Sequence, residues 1–87
     1  MLRPHRGRLP RVHPTAFIDD SAQVIGDVDV AEESSIWMCV AVRGDVNSIR
    51  IGRRTNVQDG CVVHGMAGAP SPVDQKQLQE LHLKIQM

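Results

Sequence analysis

The residues able to do chemistry are concentrated between positions 43 and 64, where Arg43, Asp45, Gln58, Asp59 and His64 lie among aliphatic neighbours. An imidazole such as that of His64 is a ligand for divalent metals, and without partners it is an ordinary polar surface group. Arg43 and Asp45 stand two apart in RGD. On a strand that spacing points both side chains the same way, so they can make charge-assisted bonds to a neighbour or hold a corner. Gln58 and Asp59 precede Gly60, and Asp-Gly is what a tight turn favours. Nothing else in the chain marks the exposed secreted loop that an adhesive RGD would need.

The other candidate ligands are scattered. His5 lies in an arginine-rich start and His13 heads the turn-like HPTAF, while His82 falls in a helical pattern near the end. None forms a ligand spacing with His64. Cys39 and Cys61 occupy unrelated places in their repeats, so they make no disulfide framework, and Cys61 reads as a buried thiol rather than a nucleophile. Phe17 and Trp37 read as surface or interface packing.

The element that must position these residues is a repeat. Written in sixes from Val12, the chain reads VHPTAF, IDDSAQ, VIGDVD, VAEESS, IWMCVA and VRGDVN. After Ser48-Ile49-Arg50 it resumes as IGRRTN, VQDGCV and VHGMAG. All nine units open on Val or Ile although Val, Ile and Leu make up only 22 of 87 residues, so the beat is not a by-product of composition. The fifth places, Ala16, Ala22, Val28, Ser34, Val40, Val46, Thr55, Cys61 and Ala67, are all small or medium-sized.

A period of six fits neither the 3.6 of a helix nor the simple alternation of a hairpin. It fits an all-β solenoid, in which each unit makes one short strand and one turn and three units close a triangular coil. Three coils follow, at 12–29, 30–47 and 51–68, with the openers inside and the small fifth residues at the corners. Residues 1–11 are expected to form an N-terminal cap over one end and 12–68 the β-helix, with 69–87 a linker and C-terminal helix. Ser71, Pro72 and Asp74 suit a helix start, and Leu78, Leu81 and Ile85 share one helical face.

A chain of 87 residues cannot bury a large core, so oligomerisation or metal binding is the expected supplement. Ten basic and ten acidic residues cancel, which removes the global field that would favour nucleic acid or an anionic membrane. The charges are sorted locally, with four arginines among residues 3–11 ahead of any acid. Pro4, Gly7, Pro10 and Pro14 break the amphipathic helix that a transit peptide would require, and no apolar run reaches the length of a membrane span. A cytoplasmic protein is the expectation.

The segments HPTAFID, VIGDV, SSIW, RGDVNSIRIG and TNVQDGCVVH, in this order and spacing, resemble the gamma-class carbonic anhydrase-like proteins of the hexapeptide-repeat, left-handed parallel β-helix superfamily. The resemblance covers roughly residues 2–64. It implies a left-handed coil, a homotrimer with a zinc or other divalent metal site between neighbouring subunits, and reversible hydration of carbon dioxide to bicarbonate. It makes His64 the first metal ligand, Arg43 and Asp45 an interface ion pair near the site, and Gln58 and Asp59 the pair that orders the metal-bound water. The remaining two ligands are expected in a G-H-x-x-x-x-H segment on the next coil, and no such segment follows His64. The chain therefore reads as a member truncated or diverged after the first ligand motif, with two of three ligands missing and catalysis incomplete. Two alternatives stand beside this reading: a hexapeptide-repeat acyltransferase-like protein, and a non-catalytic assembly module.

Overall fold

The structure is a computed structural model that describes residues 1–64 and 71–73. Every strand-to-strand pairing among them is parallel, no helix occurs among them, and the strands stack in three faces. Face A contains β1 (Leu2–Arg3), the first half of β4 (Gln23–Val30), the first half of β6 (Ala41–Ile51) and β8 (Val62–His64). Face B contains β2 (Arg11–Val12), the second halves of β4 and β6, and β9 (Ser71–Val73). Face C contains β3 (Phe17–Ile18), β5 (Ser35–Ile36) and β7 (Asn56–Val57). The six-residue beat thus becomes one face and one corner per unit, and on face C equivalent residues recur after 18 and then 21 positions.

The aliphatic openers point inward as the beat demands. Val24, Val30, Ile36, Val42, Ile51 and Val57 are buried, and Val12, Ile18 and Val63 pack on them partly covered. Full burial of each contributes about 1.5–3 kcal/mol. Small fifth residues close the corners: Ala22, Val28 and Val40 are buried, and so are the polar Ser34 and Thr55. The Ser34 hydroxyl bonds the Gly52 carbonyl and accepts from the Thr55 amide, so it enters the core without an unmet partner.

The phase of the repeat needs correction. The break in the beat does not fall at Ser48-Ile49-Arg50. Gly26 pairs with Gly44 and Val28 with Ile49, so the extra residues bulge out between Gly44 and Ile49. Ile49, fully buried, holds the fifth place assigned to Val46, and Arg50 stands beside Asp29. The bulge therefore sets Ile49 on Val28 in the core stack.

The ends of the chain also differ from expectation. Leu2 and Arg3 stand in register with Val24 and Ile25, so the stacking begins before Val12. Ser71–Val73 pairs with Ile49–Ile51 as a strand in the stretch read as linker and helix start. The expected C-terminal helix lies outside the described residues.

Corner geometry explains several residue choices. At the corners between faces B and C, and between C and A, the fourth residue of the unit carries a hydroxyl in the first layer: Thr15 Oγ1 accepts from the Glu33 amide and Ser21 Oγ from the Cys39 amide. The next two layers turn through positive φ, at Glu33 and Cys39 and then at Arg54 and Gly60. Cys39 and Gly60 occupy the same place one coil apart, and only the glycine takes that conformation without cost.

Candidate functional site

The outward residues of face A form a rung in register: Arg3, Ile25, Arg43, His64. Alternation along the strands sends Val42 and Val63 into the core and turns Arg43 and His64 out, which is why both are exposed. His64 ends β8 directly beside Arg43 on the parallel ladder. Arg43 is fixed by Asp45 across the beginning of the bulge, its Nη2 donating to Oδ2 at 2.8 Å and its Nε to the same oxygen at 3.3 Å. The glycine between them is there for space: a Cβ on Gly44 would lie 2.6 Å from the Asp27 carbonyl oxygen. Only glycine lets the coil below come this close, so the RGD glycine has a structural reason.

Gln58 and Asp59 do not join this rung within one chain. Gln58 follows the buried Val57 and projects from face C, and Asp59 sits exposed on the corner leading to face A. Their backbone makes the turn the sequence suggested, with the Cys61 amide bonding the Gln58 carbonyl at 3.3 Å and the Gly60 amide the Met38 carbonyl at 2.9 Å. One chain therefore gathers Arg43, Asp45 and His64 on one face and leaves Gln58 and Asp59 on the next.

A zinc ion needs about three protein ligands for a catalytic site. Among the described residues no group of three His, Cys, Asp or Glu side chains converges. His13 is engaged in its own turn, its Nδ1 receiving the Thr15 amide at 3.2 Å, and His5 closes a tight bridge with Arg8. The described residues therefore do not by themselves fit a zinc ion, and His64 belongs to no group of three such side chains among them.

The structure assembles two clusters that the sequence reading did not put together. Phe17 and Trp37 meet on face C with ring centroids 5.0 Å apart, 45% and 40% exposed. Asp19, Asp20, Met38 and Asp59 flank them along the corner to face A. The indole N–H donates to Ser35 Oγ at 2.9 Å, and that hydroxyl donates to Asn56 Oδ1, so the ring is held in place rather than loose. The other cluster is an alternating rung on face B, Arg11, Asp29, Arg50. Arg11 bonds Asp29 and, at 2.7 Å, Asp27; Arg50 reaches Asp29 at 2.8 Å and Asp27 at 3.7 Å. The Arg11 hydrogen bond holds the Asp27 carboxyl below the usual carboxylate range, and bonds from Ser21 do the same for Asp19. The signal for this rung was available, since spacings of 18 and 21 carry the signs plus, minus, plus.

Comparison with known proteins gives a consistent set of relatives, although no family model matches. The uncharacterized transferase YtoA of Bacillus subtilis is 50% identical over 64 residues, 74% of this chain and 37% of that protein. A carbonic anhydrase of Geobacillus kaustophilus is 40% identical over 70 residues, 80% of this chain and 38% of that protein. Gamma carbonic anhydrase 1 of Arabidopsis thaliana is 47% identical over 57 residues, 66% of this chain and 21% of that protein. Among solved structures, a candidate acetyltransferase from Bacillus cereus superposes with a TM-score of 0.80 at 41% identity, over 84% of this chain and 42% of that one. A hexapeptide transferase family protein from Anaplasma phagocytophilum gives 0.69 at 46%, over 70% and 37%. The chain thus spans between 21% and 42% of the length of these relatives.

Proposed function

We propose that this chain, a homologue of gamma carbonic anhydrases and hexapeptide transferase-family proteins, supplies one wall of a carbonic-anhydrase-type site built between subunits. The observation that carries this is the rung on which His64 lies beside an Arg43 already fixed by Asp45. His64 is the first metal ligand, Arg43 and Asp45 brace the interface, and Gln58 and Asp59 of a neighbouring copy face them. Zinc, when bound, would supply a water acidified toward neutrality for attack on carbon dioxide. Two further ligands must come from outside the residues described.

Complementary faces support a trimer. Face A presents Arg3, Arg43 and His64 around Ile25, Ala41 and an exposed Val62, whereas face C presents Phe17 and Trp37 beside Asp19 and Asp59. A basic face meeting an acidic aromatic one is a head-to-tail contact. Repeated head to tail about an axis, such contacts build a closed ring, and the ring we propose has three copies. The balanced composition and free Cys39 and Cys61 suit the cytoplasm.

Titration of the chain with zinc, followed by NMR, tests the reading. Zinc is expected to shift the His64 ring signals first, the shift to disappear in His64→Ala, and carbon dioxide hydration to stay at the buffer rate. A second reading, acyl transfer, is favoured by the transferase names of YtoA and the Anaplasma protein. Silence of His64 toward zinc, together with a rise in melting temperature on adding acyl-CoA, would replace the first reading with the second.

A further inference from the structure

We infer that residues 1–12 form an ionic strap, which lifts from the coil as a unit when its arginine contacts are weakened and uncovers the edge of β4 while the other faces stay stacked. Besides these charges, the strap is held by the short ladders of β1 and β2 on β4 and by the Met1 ammonium, which donates to the Ala22 carbonyl. β1 and β2 are two residues each, tied to the coil by a few backbone bonds such as Val24 amide to Met1 carbonyl and His13 amide to Val30 carbonyl, both 2.9 Å. Leu2 and Leu9 are exposed and Val12 is half-buried, leaving Pro10 as the buried residue of the segment. At this end an open, mostly apolar pocket of about 500 Å³, lined by Met1, Leu2, Val12, Ala16 and Ile18 with Asp19 and Asp20, takes the place of a closed core. Beneath, Val24, Val28 and Val30 are fully covered on β4 and clamped by β6.

Charge provides the remaining attachment. Arg11 holds Asp27 and Asp29, and Arg8 stands 3.7 Å from Asp27. The same two carboxylates are also reached from the other side by Arg50 of β6. Lifting the strap therefore leaves neither Asp27 nor Asp29 without a cation, so opening avoids the penalty of a stranded charge. The side chains of Arg8 and Arg11 are more than half exposed, at 66% and 52%, so dissolved salt can screen them. The opened edge would present Asp27 and Asp29 to any incoming parallel strand that carries a basic residue in the place of Arg11.

Hydrogen exchange on the intact chain tests this. The Val24 amide, bonded to Met1, reports the strap, and the Trp37 amide, bonded to the Val57 carbonyl on face C, reports the coil. Raising salt from 0.05 to 0.5 M is expected to accelerate Val24 exchange by roughly fivefold, the yield of three exposed ion pairs at ordinary strength, with Trp37 unchanged. Arg11→Met is expected to accelerate Val24 at low salt and to remove most of its further response. Equal salt responses of Val24 and Trp37 in the unsubstituted chain would overturn the strap, since opening would then be global. That measurement decides the matter even if Arg11→Met fails to fold.

Discussion

The regular corners of the coil and the corner between faces A and B handle the same problem differently. Where faces B and C meet, and C and A, hydroxyls of Thr15 and Ser21 receive the amides of the next layer, and a positive-φ residue turns the chain at Glu33, Cys39, Arg54 or Gly60. Between A and B the layers touch through glycines instead: a Cβ on Gly26 would lie 2.6 Å from the Gly44 carbonyl oxygen and 3.2 Å from the His5 Cβ. The regular corners build the stack. The irregular one adds a bulge, and the bulge puts Asp45 where it fixes Arg43 beside His64. Departure from the repeat, rather than the repeat itself, marks the candidate site.

The sharpest way to break this contrast is a methyl group at each kind of corner. Gly26→Ala combines a backbone clash with a φ of 80° and is expected to cost about 3–4 kcal/mol, measured by urea denaturation. Gly60→Ala meets nothing within 4 Å at a φ of 74°, and the expected loss is only about 1 kcal/mol. Similar losses from the two would mean that conformation, not close approach, governs both corners. Next in size, Ser34→Ala strands the Thr55 amide and the Gly52 carbonyl and should cost about 1–3 kcal/mol in the same assay. Smallest and opposite in sign, Cys39→Gly relieves a φ of 60° and should stabilise by up to about 1 kcal/mol.

Acid sharpens the comparison from another side. Asp27 is held below its ordinary pKa in the fold, so its contribution is present above the unfolded value near 3.9 and fades as pH falls through the lower folded value. Melting temperature is expected to drop below about pH 4, and Asp27→Asn to flatten that drop. An unchanged acid limb in the variant would show that the face B network contributes nothing to stability.

The inward half of the fold was legible because an opener every six residues has one physical meaning: Val24, Ile36 and Val57 can only stack. Ile49 was misplaced because three inserted residues leave the composition of the beat intact while shifting its phase, and only register reveals which aliphatic fills the layer. The strand at Leu2–Arg3 was hidden by the prolines and glycine that follow it, which look the same in a cap as in a wide corner. For the candidate site, the sequence reading brought His64, Arg43 and Asp45 into view through their order, and the ladder sets His64 beside Arg43. It could not place Gln58 and Asp59 relative to them, because residues adjacent in the repeat diverge onto different faces at a corner.

The face C aromatic pair has a consequence for how this protein can be observed. Trp37 is the single tryptophan in the sequence, and it is held by Ser35 on the surface with 40% of its area in water. Its fluorescence should therefore respond weakly to loss of the valine core, so circular dichroism is the better monitor of unfolding. Any partner that covers face C would instead dry the indole and shift its emission to the blue. The residue least useful as a thermometer of this fold is thereby its built-in optical reporter of assembly.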